Sequence, residues 1–549
     1  MGTLHARAGM PAEACDLVDV PRLIRTYYSD DPDPESPEQR VAFGTSGHRG
    51  SSLHKTFNEV HVLAIAEAIV SFRRAAKIDG PLFLGADTHG LSEPARVSVV
   101  EVLAAHGVEL RVDAQDGYTP TPVISHSILQ YNRGRQTGLS DGIVITPSHN
   151  PPEDGGIKYN PPSGGPADSS TTAWIEGRAN ELLGEARTSV LRMPYERART
   201  LESTREHDYV DEYVSDLGNV IDLEIVRSAK LKLGVDPLGG SGIGYWEPIV
   251  DRFGLDLTII DPVVDPTFRF MPLDWDGRIR MDCSSAYAMK GLVEKREGFD
   301  LLFGNDTDYD RHGIVMNAGG LMPPNDYLAV AAAFAFRNRP GWPHLARVGK
   351  TVVSTSLLDL IAADLGRSVY EVPVGFKWFV EPLLQGTCAF AGEESAGASI
   401  LRRDGTPWTT DKDGIVMDLL AAEAAARSGR DLSDLYRNLT DQFGQPSYAR
   451  TDVPASAEDR VKLAQISERD ISASTLAGDV IRSIMTKAPG NGAPIGGIKV
   501  VSAFGWFAAR PSGTEPLYKV YAESFRGPEH LARIQAEAQE VVSRAIGRE

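Results

Sequence analysis

Three tandem mixed α/β domains of like fold, followed by a C-terminal α+β domain, form the architecture that this sequence predicts, and three observations carry the prediction. The chain has 549 residues, more than one hydrophobic core supports, because single cores rarely grow past ~300 residues. Three segments repeat one plan: a short apolar strand, a turn of small residues, an apolar-periodic helix, a Gly stop and a second strand. That is the pattern of a βαβ unit. The C-terminal stretch departs from it, with extended runs followed by one helical period.

The first repeat runs from Pro81–Asp87 (PLFLGAD) through a helix to Gly107 and VELRVD. The second runs from Leu231–Pro237 (LKLGVDP) to Gly254 and LDLTII. The third begins with an expected strand at Thr351–Ser356 (TVVSTS) and passes through LLDLIAADLG to Val369, Tyr370 and Val372. In the last part, GIKVVSAFGWFAARPSGTEPLYKVYAES reads as two extended runs around a turn of Gly, Pro and Ser, and HLARIQAEAQEVVSRAI as a helix. Asp441–Pro454, polar and containing Gly and Pro, reads as a linker, and Met1–Glu38 as an extension packed on the first domain. The expected domains are 1–205, 206–322, 323–445 and 446–549.

Composition narrows the function classes. Apolar residues make up 42% and charged residues 24% of the chain, ordinary globular usage that excludes disordered, collagenous and coiled-coil classes. Gly 53 and Pro 35 are in excess, which points to many loops, where sites usually sit. A net charge of −19 repels phosphate backbones and anionic lipid, so neither nucleic acid nor membrane is an expected partner. Cys15, Cys283 and Cys388 are odd in number and far apart, supplying neither a disulfide framework nor a metal clip; a cytoplasmic location is expected. No apolar h-region stands at the N-terminus, the longest apolar run is Tyr327–Phe336, and Ala6 breaks the myristoylation pattern.

Five motifs carry chemistry. Thr146-Pro-Ser-His-Asn-Pro151 follows the apolar strand Gly142–Ile145, which holds Ser148 at a strand tip on constrained backbone. No G-x-S-x-G elbow surrounds it, and His149 is badly placed in the chain to act as its base in a hydrolase triad. Asp306, Asp308 and Asp310 follow the strand FDLLF at period two, so their carboxylates share one side and form a hard-oxygen triad suited to Mg²⁺. An EF-hand fails, because Arg311 stands where its Gly is required and Asn317 where its bidentate Glu is required.

Phe43–Gly50 (FGTSGHRG) exposes backbone N–H groups beside the planar donor Arg49, an anion cradle. Arg510, Ser512, Gly513 and Thr514, with Lys519 nearby, form a second one. Gly392–Gly397 (GEESAG) taken alone reads as a helix start with acidic first residues. Its Glu393 and Ser395 also suit vicinal sugar hydroxyls, with Lys377 and Lys412 as nearby cations and Trp378 as an aromatic wall.

FGTSGHRG, TPSHNPPEDGGIKYN, GNDTDYDRHGIV, VGFKWF, GEESAG and RPSGTEP, in this order from Phe43 to Pro516, closely resemble the motifs of the α-D-phosphohexomutases. The length, the N-terminal extension and the GEESAG variant look most like the bacterial glucose-phosphate branch. The resemblance implies four domains around a deep central cleft, the last similar to the TATA-binding-protein fold. It implies that Ser148 is carried as a phosphoserine, with Mg²⁺ held by Asp306, Asp308, Asp310 and a phosphoryl oxygen. Arg49, Lys158 and His149 match family positions around that group, and Arg311 follows the metal motif on the substrate side. Glu393 and Ser395 match the sugar-hydroxyl loop; Arg510, Ser512, Gly513, Thr514 and Lys519 match the loop that grips the distal phosphate.

The activity so implied interconverts α-D-glucose 1-phosphate and glucose 6-phosphate through glucose 1,6-bisphosphate, which is both intermediate and activator. Lys158, His149 and Lys412 are candidates for the base. The partners expected are small sugar phosphates, with a homodimer as one option for assembly. Two rivals stand beside this reading: a mannose- or glucosamine-phosphate mutase with the same phosphate motifs, and an idle sugar-phosphate-binding protein on the same fold. Sister groups resemble G-E-x-S-G-H where this chain has Ala396-Gly397, so their acid/base His is missing here.

Overall fold

A computed structural model describes residues 4–44, 46–512 and 516–547. Three of its four sheets share one unit, in which three parallel strands are followed by an antiparallel return strand. In the first domain the strands Leu82–Ala86, Leu110–Asp113 and Asp141–Ile145 run parallel, and Asp154–Asn160 returns antiparallel. The second repeats this with Leu233–Asp236, Leu257–Ile259, Leu301–Asn305 and the returning His312–Met316. The third does so with Arg347–Thr351, Val369–Val372, Cys388–Glu393 and Gly397–Ile400. Helices cover both faces, so the central strands Leu82–Ala86, Asp141–Ile145, Leu301–Asn305 and Cys388–Glu393 are buried throughout and read as near-continuous apolar runs. Gly107, Gly254 and Gly366 end the equivalent helices in the left-handed conformation.

The shared unit has a consequence for the site. The turn between the third strand and the returning strand carries Thr146–Glu153 in the first domain, Asp306–Arg311 in the second and Glu394–Ala396 in the third. Three of the five motifs therefore occupy the same topological place. A single apolar cluster runs from Phe83 and Ile124 through Trp246 and Phe303 to Phe390 and Leu420, so these domains form one packed body.

The C-terminal domain is an antiparallel sheet in the order Ser447–Pro454, Leu517–Ser524, Gly505–Pro511, Pro494–Ser502, Asp479–Lys487 and Thr475–Leu476. The helix Pro528–Ala545 packs Leu531, Ile534, Ala538 and Val542 into its core.

Four expectations need correction. The segment expected to hold two extended runs holds three strands, because the chain reverses at Ala503-Phe504 with Val501 opposite Trp506. Asp441–Pro454 is not a linker: the helix Leu432–Phe443 runs into it and Ser447–Pro454 pairs with Leu517–Ser524 along its whole length. Alternation of polar residues such as Arg450 and Asp452 disguised that edge strand. The third repeat's first strand is Arg347–Thr351, earlier than expected. Its Lys350 is buried, bonded to Asp359 and Thr355 O, while Val352 and Val353 pack against Trp506 and Tyr521 of the C-terminal domain. Finally, the N-terminal extension spans two domains. Its helix Val20–Ser29 buries Leu23 and Tyr27 on the first, while Gly9 and Met10 pair with Leu273 of the second. Among the described residues, no helix is long and apolar enough to cross a membrane.

A buried ion pair inside the third domain also grips the second, through Val220 O and Asp222 N. Arg339 Nη1 donates to Glu423 Oε1 at 2.8 Å and Nη2 to Oε2 at 2.5 Å and to Val220 O at 3.0 Å, with almost no exposed surface on either side chain. Glu423→Ala leaves the guanidinium buried without its counter-charge. It should cost ~3–5 kcal/mol, read as a lowered denaturant midpoint by circular dichroism; a loss below ~1 kcal/mol would contradict this assignment.

Candidate active site

Asp306, Asp308 and Asp310 hang from the end of the strand Leu301–Asn305, almost wholly buried, with one oxygen from each lying within 4.8 Å of the others. Three carboxylates this close repel one another unless cations intervene. Two ammonium groups do so. Lys158 Nζ stands 2.6 Å from Asp308 Oδ2 and 3.1 Å from Asp310 Oδ2, and Lys412 Nζ stands 3.0 Å from Asp310 Oδ2. Burial opposes charge on both lysines, yet the carboxylates raise their pKa values above the ordinary range. Against the upward push of burial, the same two lysines hold Asp310 well below the carboxylate range. Burial, together with Asp310 and Asp308, drives Asp306 well above it.

The triad fits a divalent cation. Asp308 Oδ1 and Asp310 Oδ1 are buried without a hydrogen-bond partner among the described residues, so hard oxygen donors remain available. The loop is braced from below: Trp246 Nε1 donates to Tyr309 Oη at 3.1 Å, and Asn305 Nδ2 donates to Arg311 O and to Asp418 Oδ2.

Ser148 crowns the equivalent loop of the first domain. It is 1% exposed and left-handed, at φ 57°. Its Oγ donates to Asp306 Oδ2 at 2.8 Å and lies 3.3 Å from His149 Nδ1, joining the serine loop directly to the triad. Burial and then Arg311 push His149 down to about 3, so its ring is neutral. Arg49 comes from the strand His48–Ser51, in register with Gly156, and donates to Pro147 O at 3.2 Å and Ser46 Oγ at 2.9 Å. Arg311 keeps its distance from the acids: its Nε is 4.0 Å from Asp306 and 3.8 Å from Asp310. That Nε is buried without an acceptor among the described residues, a donor available to an anion.

GEESAG is a hairpin turn between Cys388–Glu393 and Gly397–Ile400, not a helix start. Glu393 Oε1 accepts from Gly375 N at 3.0 Å, and burial lifts its pKa to about 7 despite Lys412. A Cβ on Gly397 would lie 2.1 Å from Lys412 Cδ, so the missing side chain is what lets Lys412 thread through to Asp310. The lysine thus occupies the ground next to the place where sister groups resemble a His.

The remaining expected residues lie apart from the triad. Lys377 Nζ donates to Ser169 Oγ at 2.9 Å and lies over the Trp378 ring, bridging the first and third domains. Ser395 is half-buried in the hairpin turn. Arg510 and Lys519 are register partners on adjacent strands of the C-terminal domain, and Ser512 N donates to Leu517 O at 2.9 Å. The positive charge of Arg510 acts on Glu394 in the hairpin turn of the third domain. Gly513 and Thr514 lie outside the described residues.

Sequence reasoning missed Thr121, whose Oγ1 donates to Asp308 Oδ2 at 2.5 Å while its backbone N donates to Asp308 O at 3.0 Å. It also missed Asp282, 3.9 Å from Arg311 Nη1. Neither lies near its partner in the chain, and neither stands in a motif that names its role.

The chain matches, in order, the models described as phosphoglucomutase/phosphomannomutase alpha/beta/alpha domain I over residues 40–184, domain II over 211–319, domain III over 323–443 and the C-terminal domain over 461–541. It is 55% identical over 543 residues to a phosphoglucomutase of Komagataeibacter xylinus, covering 99% of this chain and 98% of that one. It is 28% identical over 463 residues to phosphoglucomutase 1 of Drosophila melanogaster, covering 79% and 78%. The crystal structure of pp63/parafusin, a phosphoglucomutase of Paramecium, in its open form shares the fold with a TM-score of 0.74 at 20% identity, covering 94% and 97%. The chain therefore belongs to the phosphoglucomutase/phosphomannomutase family, the α-D-phosphohexomutases.

Titration with Mg²⁺ or Mn²⁺ should raise the thermal midpoint, since a ligand at about 100 times its dissociation constant stabilises by ~2.7 kcal/mol. Asp308→Asn should abolish most of that shift. Equal shifts in both proteins would remove the triad as the cation site.

Proposed function

We propose that this chain is a phosphoglucomutase, an isomerase that interconverts α-D-glucose 1-phosphate and glucose 6-phosphate by way of glucose 1,6-bisphosphate. The observation that carries this reading is Ser148 Oγ, held 2.8 Å from Asp306 of the buried triad, in a chain 55% identical to a phosphoglucomutase over nearly its whole length. Ser148 carries the phosphoryl group. Asp306, Asp308 and Asp310, with the phosphorylated Ser148, would hold Mg²⁺, which would supply charge neutralisation for the transfer.

The chain's own side chains do the rest. Arg49, anchored on Pro147 O, lies over the serine loop and receives equatorial phosphoryl oxygens. Lys158 adds a fixed positive charge from the returning strand, where charge spreads in the transition state. The sugar hydroxyl attacks phosphorus, its P–O bond forms as the bond to Ser148 Oγ breaks, and its proton passes to a base. His149 binds a proton too weakly for that task, with its pKa near 3. Lys412 is favoured, because it stands beside Glu393 on the sugar side and becomes a base once its carboxylate partners are engaged elsewhere.

Glu393 and Ser395 take the vicinal hydroxyls, while Arg311, Lys377, Arg510, Ser512, Gly513, Thr514 and Lys519 take the distal phosphate and the cleft rim. The bisphosphate then turns over so that Ser148 reclaims the other phosphate, which requires that the distal grip accept phosphate on C1 or C6 alike. A cytoplasmic location and small sugar phosphates as partners accompany this reading.

Purified protein with Mg²⁺ and a trace of the matching bisphosphate should turn over glucose 1-phosphate in preference to the 1-phosphates of mannose and glucosamine. Ser148→Ala should lose nearly all turnover while still binding sugar phosphate. Preference for another sugar overturns the substrate, and substantial turnover by Ser148→Ala overturns the nucleophile.

Glu393 must be ionised to accept from two hydroxyls. Because its pKa is raised to about 7, the active form is lost as pH falls, and kcat/KM should decline below about pH 7. Glu393→Gln should lower kcat/KM ~10–100-fold at high pH and lack that limb; the same limb in the variant would assign it to another group.

A further inference from the structure

A residue with a Cβ holds the left-handed conformation of Ser148, φ 57°, only when its surroundings over-determine it. Those surroundings converge on one buried carboxylate that no motif singled out. Asp87 follows the strand Leu82–Ala86 and is 1% exposed. Its Oδ2 accepts from Thr146 Oγ1 at 2.6 Å and from His89 Nδ1 at 2.8 Å. Its Oδ1 accepts from Ser92 Oγ and from His89 N at 3.0 Å.

The bonds continue to both sides of the serine. Thr146 Oγ1, having given its proton to Asp87, accepts from Ser148 N at 2.8 Å. His89 Nε2 lies 3.0 Å from Asn150 O, so the ring bridges a carboxylate and a carbonyl and must donate from both nitrogens. The residues two before and two after Ser148 are thereby tied to a single anion. That anion already accepts four hydrogen bonds, which leaves it neither a metal ligand nor a base.

We infer that Asp87, acting through Thr146 and His89, is the positioning residue that aims Ser148 Oγ at Asp306. This rests on Ser148 being the phosphoryl carrier. The reason for such a device is geometric: in-line transfer needs the serine oxygen, the phosphorus and the attacking hydroxyl aligned, and a displacement of about 1 Å can cost ~10²-fold in rate. The Asp87 cluster also lies at the start of the helix Ser92–Ala105, so a purely structural role as a helix-end anchor is the alternative that the test must separate.

The decisive variants of the full-length enzyme are Asp87→Asn, Thr146→Val and Thr146→Ser. Three quantities are measured: kcat and KM for glucose 1-phosphate, the thermal midpoint, and the rate at which Ser148 takes phosphate from glucose 1,6-bisphosphate, read by rapid quench and peptide mass. Asp87→Asn and Thr146→Val should lower kcat and the loading rate about 10–100-fold, with KM within a factor of about three. Thr146→Ser, which keeps the hydroxyl, should recover most of both.

The inference is overturned if Thr146→Val loads and turns over like wild type, or if Thr146→Ser is as impaired as Thr146→Val. It is also overturned if losses in kcat only accompany a rise in KM and a collapsed thermal midpoint. Should Asp87→Asn fail to fold, the Thr146 pair decides. Absence of phosphate on Ser148 in the wild type would instead defeat the functional reading itself, an outcome separate from any ratio between variant and wild type.

Discussion

Mutual repulsion among Asp306, Asp308 and Asp310 is the constraint on which the rest of the structure depends. With one oxygen from each inside 4.8 Å and almost no solvent, the loop holds its shape only because positive charge is delivered to it from elsewhere. Lys158 comes from the first domain and Lys412 from the third. Thr121, again from the first, pins Asp308 by side chain and backbone alike. The triad thus draws the domains together, and the domains in turn make the triad tolerable. Two lysines stand where a divalent cation would bring equivalent charge, so the geometry that suits such a cation also keeps both amines protonated.

Repetition explains how so many functions meet. One α/β unit, used three times, puts its most prominent turn after the third strand, and packing the copies around a common apolar cluster brings those turns to one place. The first turn carries the serine, the second the acids, and the third follows directly on the buried Glu393. Each turn rests on a buried strand, which supplies the rigidity that phosphoryl transfer demands of its donors. The C-terminal domain is built differently, with a core of its own and a seam of Val352, Val353, Trp506 and Tyr521 against the third domain. Its Arg510 and Lys519 stand side by side on adjacent strands.

Much of this was legible in the chain. The triad and the serine loop announce themselves because their residues are neighbours in sequence, and the Gly stops at 107, 254 and 366 mark helix ends by the conformation that only Gly adopts freely. Thr121, Asp87 and Asp282 were not legible, because each gains its meaning from a partner that the fold alone brings near. Lys412 was named, but the reason it reaches Asp310 lies in Gly397, a side chain that is missing. Valines at 352 and 353 read as a strand and are instead a domain seam, while the true strand beside them hides a buried Lys350. Apolar pattern reports burial, not what a residue is buried against.

The account stands most directly on where the chain carries phosphate. Incubating the protein with Mg²⁺ and glucose 1,6-bisphosphate, removing the sugar and mapping the modified peptide by mass spectrometry should place one phosphoryl group on Ser148, and adding glucose 1-phosphate should discharge it. A phosphate on another residue, or one on Ser148 that substrate leaves untouched, would contradict the central claim.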